Sequence, residues 1–184
     1  MIGDGVIDPG IEAGIVLARL LQLRGTVSKP LIGRIPEARG DISDERRIER
    51  QRVERKWERY TGTLLNEKTV GILGLGAIAE DMAPRFKAFN MTVIGISSGV
   101  RAVAGFDRIE DRSKLLQVVP ELDYFVVLTP YSPATRHIVN AQVLGAMKPT
   151  AYLINLARGG VLDEEALLDT MRNRRIAGAA LDVY

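Results

Sequence analysis

The chain has 184 residues, 46% of them hydrophobic and 26% charged, with a net charge of +2; that is one domain, or one with an arm, and not two of full size. Basic and acidic side chains balance along the chain, 12 against 10 in residues 1–60 and 13 against 13 in residues 61–184, so no concentrated basic face is present and no nucleic-acid partner is expected. With no cysteine and a single histidine, His137, a disulfide scaffold, a thiolate or multi-histidine metal site and a thiol nucleophile are excluded.

The chain changes character near residue 61. Residues 10–24 read as a helix with a broad apolar stripe through Ile11, Ile15, Ala18 and Leu21. Residues 25–43 hold Pro30, Gly33, Pro36 and Gly40, an irregular connection. Residues 44–60 interleave seven basic with five acidic residues and space Ile48, Val53, Trp57 and Tyr60 loosely as a helix does; this favours a solvated helix over a nucleic-acid arm. Residues 1–60 are thus expected to form a helical arm and linker. The longest apolar runs, such as residues 13–18 and 124–128, are far short of the roughly 20 residues a bilayer requires, so no membrane partner is expected. Asp4 and Asp8 stand where a signal peptide would be basic, which makes the cytoplasm the expected compartment.

From residue 69 onward short β-rich runs alternate with helical segments. The runs cover residues 69–75, 91–96, 124–129, 152–156 and 178–183. The helical segments are 77–89, where Pro84 predicts a kink or a late start, then 113–119, 141–147 and 163–174. The last carries Asp163 as N-cap, acids in its first turn and arginines at its end. Strands apolar along their whole length and separated by helices predict a parallel sheet covered on both faces. The crossover rule makes it doubly wound. Residues 61–184 therefore read as an α/β domain of the Rossmann type.

The first run passes straight into Gly74-Leu75-Gly76-Ala77-Ile78-Ala79, a GxGxxA loop between strand and helix. Gly74 permits the tight turn, Gly76 has no Cβ to keep a pyrophosphate from the backbone, and Ala79 lets the helix pack close to the strand. The helix N-terminus offers amides and partial positive charge to the phosphates. The plain alternative is a glycine-rich turn with no ligand. About 20 residues on, an NAD site places an acid on the ribose 2′-hydroxyl. Here the second run is followed by Ser97-Ser98-Gly99-Val100-Arg101. Hydroxyls of Ser97 and Ser98 with the Arg101 guanidinium suit a 2′-phosphate, which a carboxylate would repel. NADP(H) is expected over NAD(H), with NAD(H) also admitted; the alternative is that Arg101 is a solvated loop charge.

Six blocks together resemble the D-isomer-specific 2-hydroxyacid dehydrogenases, a family that includes phosphoglycerate, glyoxylate/hydroxypyruvate and D-lactate dehydrogenases. They are Thr69-Val-Gly-Ile-Leu-Gly-Leu-Gly-Ala-Ile78, Leu128-Thr-Pro-Tyr-Ser-Pro-Ala-Thr-Arg136, Met147-Lys-Pro149, Ile154-Asn-Leu-Ala-Arg-Gly-Gly160, Asp163-Glu-Glu-Ala-Leu167 and Ala177-Gly-Ala-Ala-Leu-Asp-Val183. The resemblance covers Trp57 to Tyr184 almost continuously. It implies that Ala77 and Ile78 turn amides to the pyrophosphate and that Thr129 and Pro130 line the cofactor cleft. It also places Leu156 and Ala157 beside the nicotinamide, Asp182 on its carboxamide, and Arg158 as the catalytic arginine. A small 2-hydroxy or 2-oxo acid is the implied substrate and a homodimer the implied assembly, with residues 10–24 as a candidate interface.

Reduction of a 2-oxo acid puts negative charge on the carbonyl oxygen, and one guanidinium can hold the carboxylate and polarise that oxygen together. The family's proton donor is a histidine oriented by a glutamate, beyond the last block, and His137 does not match it. His137 reads as a surface or edge residue. Most of the family's substrate domain also has no counterpart here. The expectation is a chain that binds cofactor but is by itself catalytically incomplete, against an alternative of a non-catalytic NAD(P)-sensing or corepressor-like module.

Overall fold

The computed structural model describes residues 51–57, 64–99 and 101–182. The expected 10–24 helix, the 25–43 connection and the first part of the 44–60 helix lie outside them. The chain divides into two compact units, residues 1–27 with 39–65, and residues 28–38 with 66–184. In the first, residues 51–54 are helical. The helix closes at Arg55, which takes a φ of +52°. Arg55 N–H donates to the Arg52 carbonyl and Lys56 N–H to the Gln51 carbonyl at 3.0 Å, the paired bonds of a Schellman turn. The helix therefore ends short of the expected residue 60. No glycine marks the stop; Arg55 itself accepts the left-handed conformation.

The second unit carries a six-stranded parallel sheet. In chain order the elements are β1 (Thr69–Leu73), α1 (Ala77–Ala88), β2 (Thr92–Ser97), β3 (Arg108–Asp111), α2 (Leu115–Val118), β4 (Tyr124–Val127), α3 (Ala141–Ala146), β5 (Tyr152–Asn155), α4 (Glu164–Arg172) and β6 (Gly178–Leu181), with short 3₁₀ turns at Arg112–Lys114, Val119–Glu121 and Gly159–Val161. The strand order is β3-β2-β1-β4-β5-β6, the doubly wound arrangement whose order reverses between β1 and β4. All four residues of β4 are buried, as a strand covered on both faces requires. Gly71 of β1 is needed because a Cβ there would run into the Leu122 side chain.

The expected runs are right in type and overlong at their carboxyl ends. The ladder stops at Leu73, Val127, Asn155 and Leu181, because the apolar residues beyond belong to the loops that leave the sheet. β2 goes one residue further, to Ser97. β3 is a correction: five runs are visible in the sequence and the sheet has six strands. Its Arg-Ile-Glu-Asp sequence is too polar for an apolar-run criterion, yet it suits an edge strand that must not recruit another chain. Arg108 pairs there with Glu121 at 2.7 Å and Lys114 with Glu110 at 3.0 Å.

Of the two outcomes expected at Pro84, the late start does not occur: α1 starts at Ala77 and runs through Pro84 to Ala88. The ring costs one helical hydrogen bond, from residue 84 to the Glu80 carbonyl, at an exposed position. α4 follows expectation at its start, where the Asp163 carboxylate accepts from the Ala166 amide at 3.0 Å.

Candidate functional site

The carboxyl edge of the sheet is built around the loop that leaves β1. Gly74 has a φ of +100° and donates its N–H to the Ile96 carbonyl at 2.9 Å. A Cβ on Gly74 would lie 2.6 Å from the Thr129 nitrogen and 2.7 Å from its Cα. The turn thus needs glycine twice, for its left-handed backbone and for its contact with the chain leaving β4. Gly76 differs. Its backbone is extended and a Cβ there would meet nothing within 4 Å, so among the described residues no atom accounts for a glycine.

Gly76 is also the N-cap of α1, and no side chain caps that helix. By contrast Asn140 caps α3 with bonds to the Gln142 and Val143 amides, and Asp163 caps α4. The amide of Glu80 is the first of α1 bonded within it, to the Gly76 carbonyl at 3.0 Å. The amides of Ala77 and Ile78 open the first turn with no acceptor among the described residues. Unfilled space, free amides and the positive end of a 12-residue helix converge, which fits an anionic diphosphate. Ala79 behind them is fully buried against the sheet, while the apolar side chain of Ile78 is 55% exposed at the mouth.

Beside this mouth β2 ends at Ser97, whose neighbour Ile96 pairs with Leu73 of β1. The Ser97 hydroxyl accepts from the Gly99 amide at 3.4 Å, and Ser98 and Gly99 are exposed. The loop then folds back along α1. Gly105, at φ +87°, sits so close that a Cβ would come within 3.1 Å of Ala83 and 3.2 Å of Pro84. Arg101 is exposed, but it is not a free loop charge: its Nη2 lies 2.6 Å from the Glu80 carboxylate in the first turn of α1. That partner has no sequence signal, because 21 residues separate the two.

On the other side of β1 the chain leaves β4 and β5. Thr129 is buried with its backbone directly against Gly74, and Pro130 is exposed. The Thr135 hydroxyl fixes this loop by donating to the Pro130 carbonyl and accepting from the Ser132 amide, each at 2.7 Å. After β5, Leu156 is half-buried, Ala157 buried and Arg158 exposed. Asn155 organises them: its carboxamide accepts from the Ala157 amide at 3.1 Å and donates to the Arg158 carbonyl at 3.2 Å. The Arg158 guanidinium donates to the Ala157 carbonyl at 2.7 Å. Asp182, exposed beyond β6, reaches the same edge through its amide, which donates to the Asn155 carbonyl at 3.0 Å.

The two loops interlock. A Cβ on Gly160 would stand 2.6 Å from the Tyr131 ring, and the His137 amide donates to the Gly160 carbonyl at 3.0 Å. His137 itself is exposed in a turn at φ +48°, the surface position expected of it. Glu80, Asn155, Thr135 and Tyr131 are the residues whose parts were not foreseen. Asn155 could have been, since a polar residue that ends an all-apolar strand must find partners.

The opposite edge of the sheet is held by carboxylates. Burial raises the Asp123 pKa, but the Thr69 amide at 2.9 Å and the Lys148 ammonium at 3.0 Å outweigh it and hold the group below the usual range. At Asp107 the Lys87 ammonium and the Val93 amide do the same. Burial pushes the Tyr124 phenol up to about 12, in a ring pair stacked on Tyr152. These groups join strand starts and lie away from the mouth. Among the described residues no cluster of three acidic or histidine side chains could hold a metal, and no helix is long and apolar enough to cross a membrane.

Comparison with known proteins gives this edge a lineage. The profile of the D-isomer specific 2-hydroxyacid dehydrogenase NAD binding domain matches residues 40–184. Human D-3-phosphoglycerate dehydrogenase is 38% identical over 160 residues, 84% of this chain and 27% of that protein. A D-isomer specific 2-hydroxyacid dehydrogenase from Xanthobacter autotrophicus, solved with NADPH, is 32% identical with a TM-score of 0.69, over 77% of this chain and 58% of its own. An NADPH-dependent glyoxylate/hydroxypyruvate reductase from Sinorhizobium meliloti, solved with NADP, is 25% identical with a TM-score of 0.71, over all of this chain and 53% of its own. The chain spans less than two thirds of each of these relatives. With the doubly wound sheet, the open glycine loop and the matched profile in agreement, the chain belongs to the D-isomer specific 2-hydroxyacid dehydrogenase family and carries its NAD-binding domain.

Proposed function

We propose that this chain is the cofactor-binding part of an oxidoreductase that passes a hydride between a nicotinamide cofactor and a small 2-hydroxy or 2-oxo acid. The observation that carries the reading is the space at Gly76, which no atom of the described residues fills, beneath the uncapped amides of α1. Gly74 and Gly76 let the backbone approach the diphosphate, and the amides of Ala77 and Ile78 bind it. Thr129 and Pro130 line one wall of the cleft, Leu156 and Ala157 the nicotinamide side, and Asp182 accepts from the carboxamide.

The bound nicotinamide supplies or accepts the hydride. The protein's share of that chemistry falls to Arg158, whose guanidinium holds the substrate carboxylate and stabilises the charge that grows on the carbonyl oxygen. Its exposure and the anchorage of its backbone through Asn155 support this part. The proton donor is not furnished by His137, and the chain alone is expected to bind cofactor without turning over 2-oxo acids.

NADP(H) is preferred over NAD(H). What supports this is the lack of a carboxylate at the end of β2, the hydroxyls of Ser97 and Ser98, and Arg101 beside the first turn of α1; two structural relatives were solved with NADPH or NADP. We also propose a homodimer, supported by the apolar stripe of residues 10–24. Calorimetric titration with both reduced cofactors tests the reading. Heat from both and tighter binding of NADPH are expected; tighter NADH would overturn the preference. Brisk glyoxylate-dependent oxidation of NADPH by the purified chain would overturn its incompleteness.

A further inference from the structure

We infer that Glu80 sets how strongly this site favours NADP(H), by holding the Arg101 guanidinium that must otherwise meet the 2′-phosphate. The inference rests on the cofactor reading above and concerns a residue outside the GxGxxA loop. Glu80 is the only acidic residue in the first turn of α1, at the positive end of the helix that receives the diphosphate. Its Oε1 lies 2.6 Å from Arg101 Nη2. Among the described residues Arg101 has no other acidic partner.

Downstream of Arg101 the chain is fastened back onto α1 and β2. Gly105 packs on Ala83 and Pro84. Beyond it, the Asp107 carboxylate accepts from the Val93 amide at 2.7 Å and from Lys87 at 2.8 Å. Both members of the pair are more than 40% exposed, so the pair is a weak, solvent-screened one that a competing dianion can open.

NADH, without a 2′-phosphate, leaves the pair closed and meets a locally neutral surface. NADPH has to draw Arg101 away from Glu80 before it gains a charge-assisted contact. Glu80 therefore acts on NADP(H) alone, as a positioning residue working through Arg101.

The test is a thermodynamic cycle on the full 184-residue chain, with binding of NADPH and NADH followed by nicotinamide fluorescence for the parent, E80Q, R101Q and E80Q/R101Q. Unchanged circular dichroism and melting temperature certify the fold of each. E80Q is expected to bind NADPH about two- to fivefold more tightly, the range an exposed ion pair is worth, and NADH as before. R101Q is expected to lose NADPH affinity, and the double variant to match R101Q. An unchanged NADPH affinity in R101Q would sink the underlying preference itself. A normal loss in R101Q with no gain in E80Q would overturn only the part given to Glu80. An equal gain from E80Q in the R101Q background would also overturn it, because Glu80 would then repel the phosphate directly.

Discussion

Gly74 and Gly76 lie two residues apart in one loop, yet a methyl group added to each should meet a different fate. At Gly74 alanine must adopt φ +100°, a left-handed strain of about 1–2 kcal/mol. Its Cβ must also sit 2.6 Å from the Thr129 backbone nitrogen, and overpacking against a backbone that cannot rotate away costs about 1–3 kcal/mol. Gly74→Ala should therefore destabilise the cofactor-free chain by about 2–5 kcal/mol, a fall in melting temperature of roughly 4–20 °C at this size. At Gly76 the backbone is extended and the space empty. Alanine in place of a glycine N-cap costs below about 1 kcal/mol there, and melting should fall by no more than about 4 °C. Binding should show the reverse contrast. The Gly76→Ala methyl takes the volume assigned to a diphosphate oxygen, and NADPH affinity should drop at least about tenfold, or 1.4 kcal/mol. Circular dichroism melts and fluorescence titrations measure the two quantities. Parent-like NADPH affinity in Gly76→Ala would refute the seat given to the diphosphate, and parent-like melting of Gly74→Ala would refute the strain argument.

Three further changes probe the scaffold. Asp123→Asn should cost about 1–3 kcal/mol at pH 7; because the folded pKa is depressed, the parent keeps that contribution above about pH 4 and loses it as pH falls through the folded value, so urea midpoints of parent and variant should converge in acid. Asn155→Ala removes the acceptor of the Ala157 amide, which should lower stability by about 1–3 kcal/mol and quicken hydrogen exchange at that amide above all others in the loop. Gly160→Ala meets only the outer edge of the exposed Tyr131 ring, which can swing aside, so its melting temperature should fall by less than about 4 °C while the Tyr131 ring resonances move.

The sheet was legible because five of its six strands, the four interior ones and β6, come from largely apolar runs, and its helices carry their own stop and start residues, Asp163 being the plainest. β3 was hidden because this edge strand carries the charges of Arg108, Glu110 and Asp111 in place of an apolar run. The end of the arm helix was hidden because an arginine takes a backbone conformation usually left to glycine. Of the candidate site, the glycine spacing was legible because backbone geometry leaves few substitutes, and the serines and Arg101 because a missing carboxylate is visible in one dimension. What stayed out of sight are contacts between distant segments: Glu80 with Arg101, Tyr131 over Gly160, and Asp123 with Thr69 and Lys148. Each depends on where crossovers return the chain, and no local pattern encodes that.

The seat of the diphosphate can be observed directly by following backbone amide resonances of the ¹⁵N-labelled chain during titration with NADPH. The largest shifts should fall on Gly76, Ala77 and Ile78, with smaller ones at Ser97 and Thr129. Saturable binding that leaves the amides of Ala77 and Ile78 unmoved would contradict the central claim, because the cofactor would then be held elsewhere than at the open end of α1.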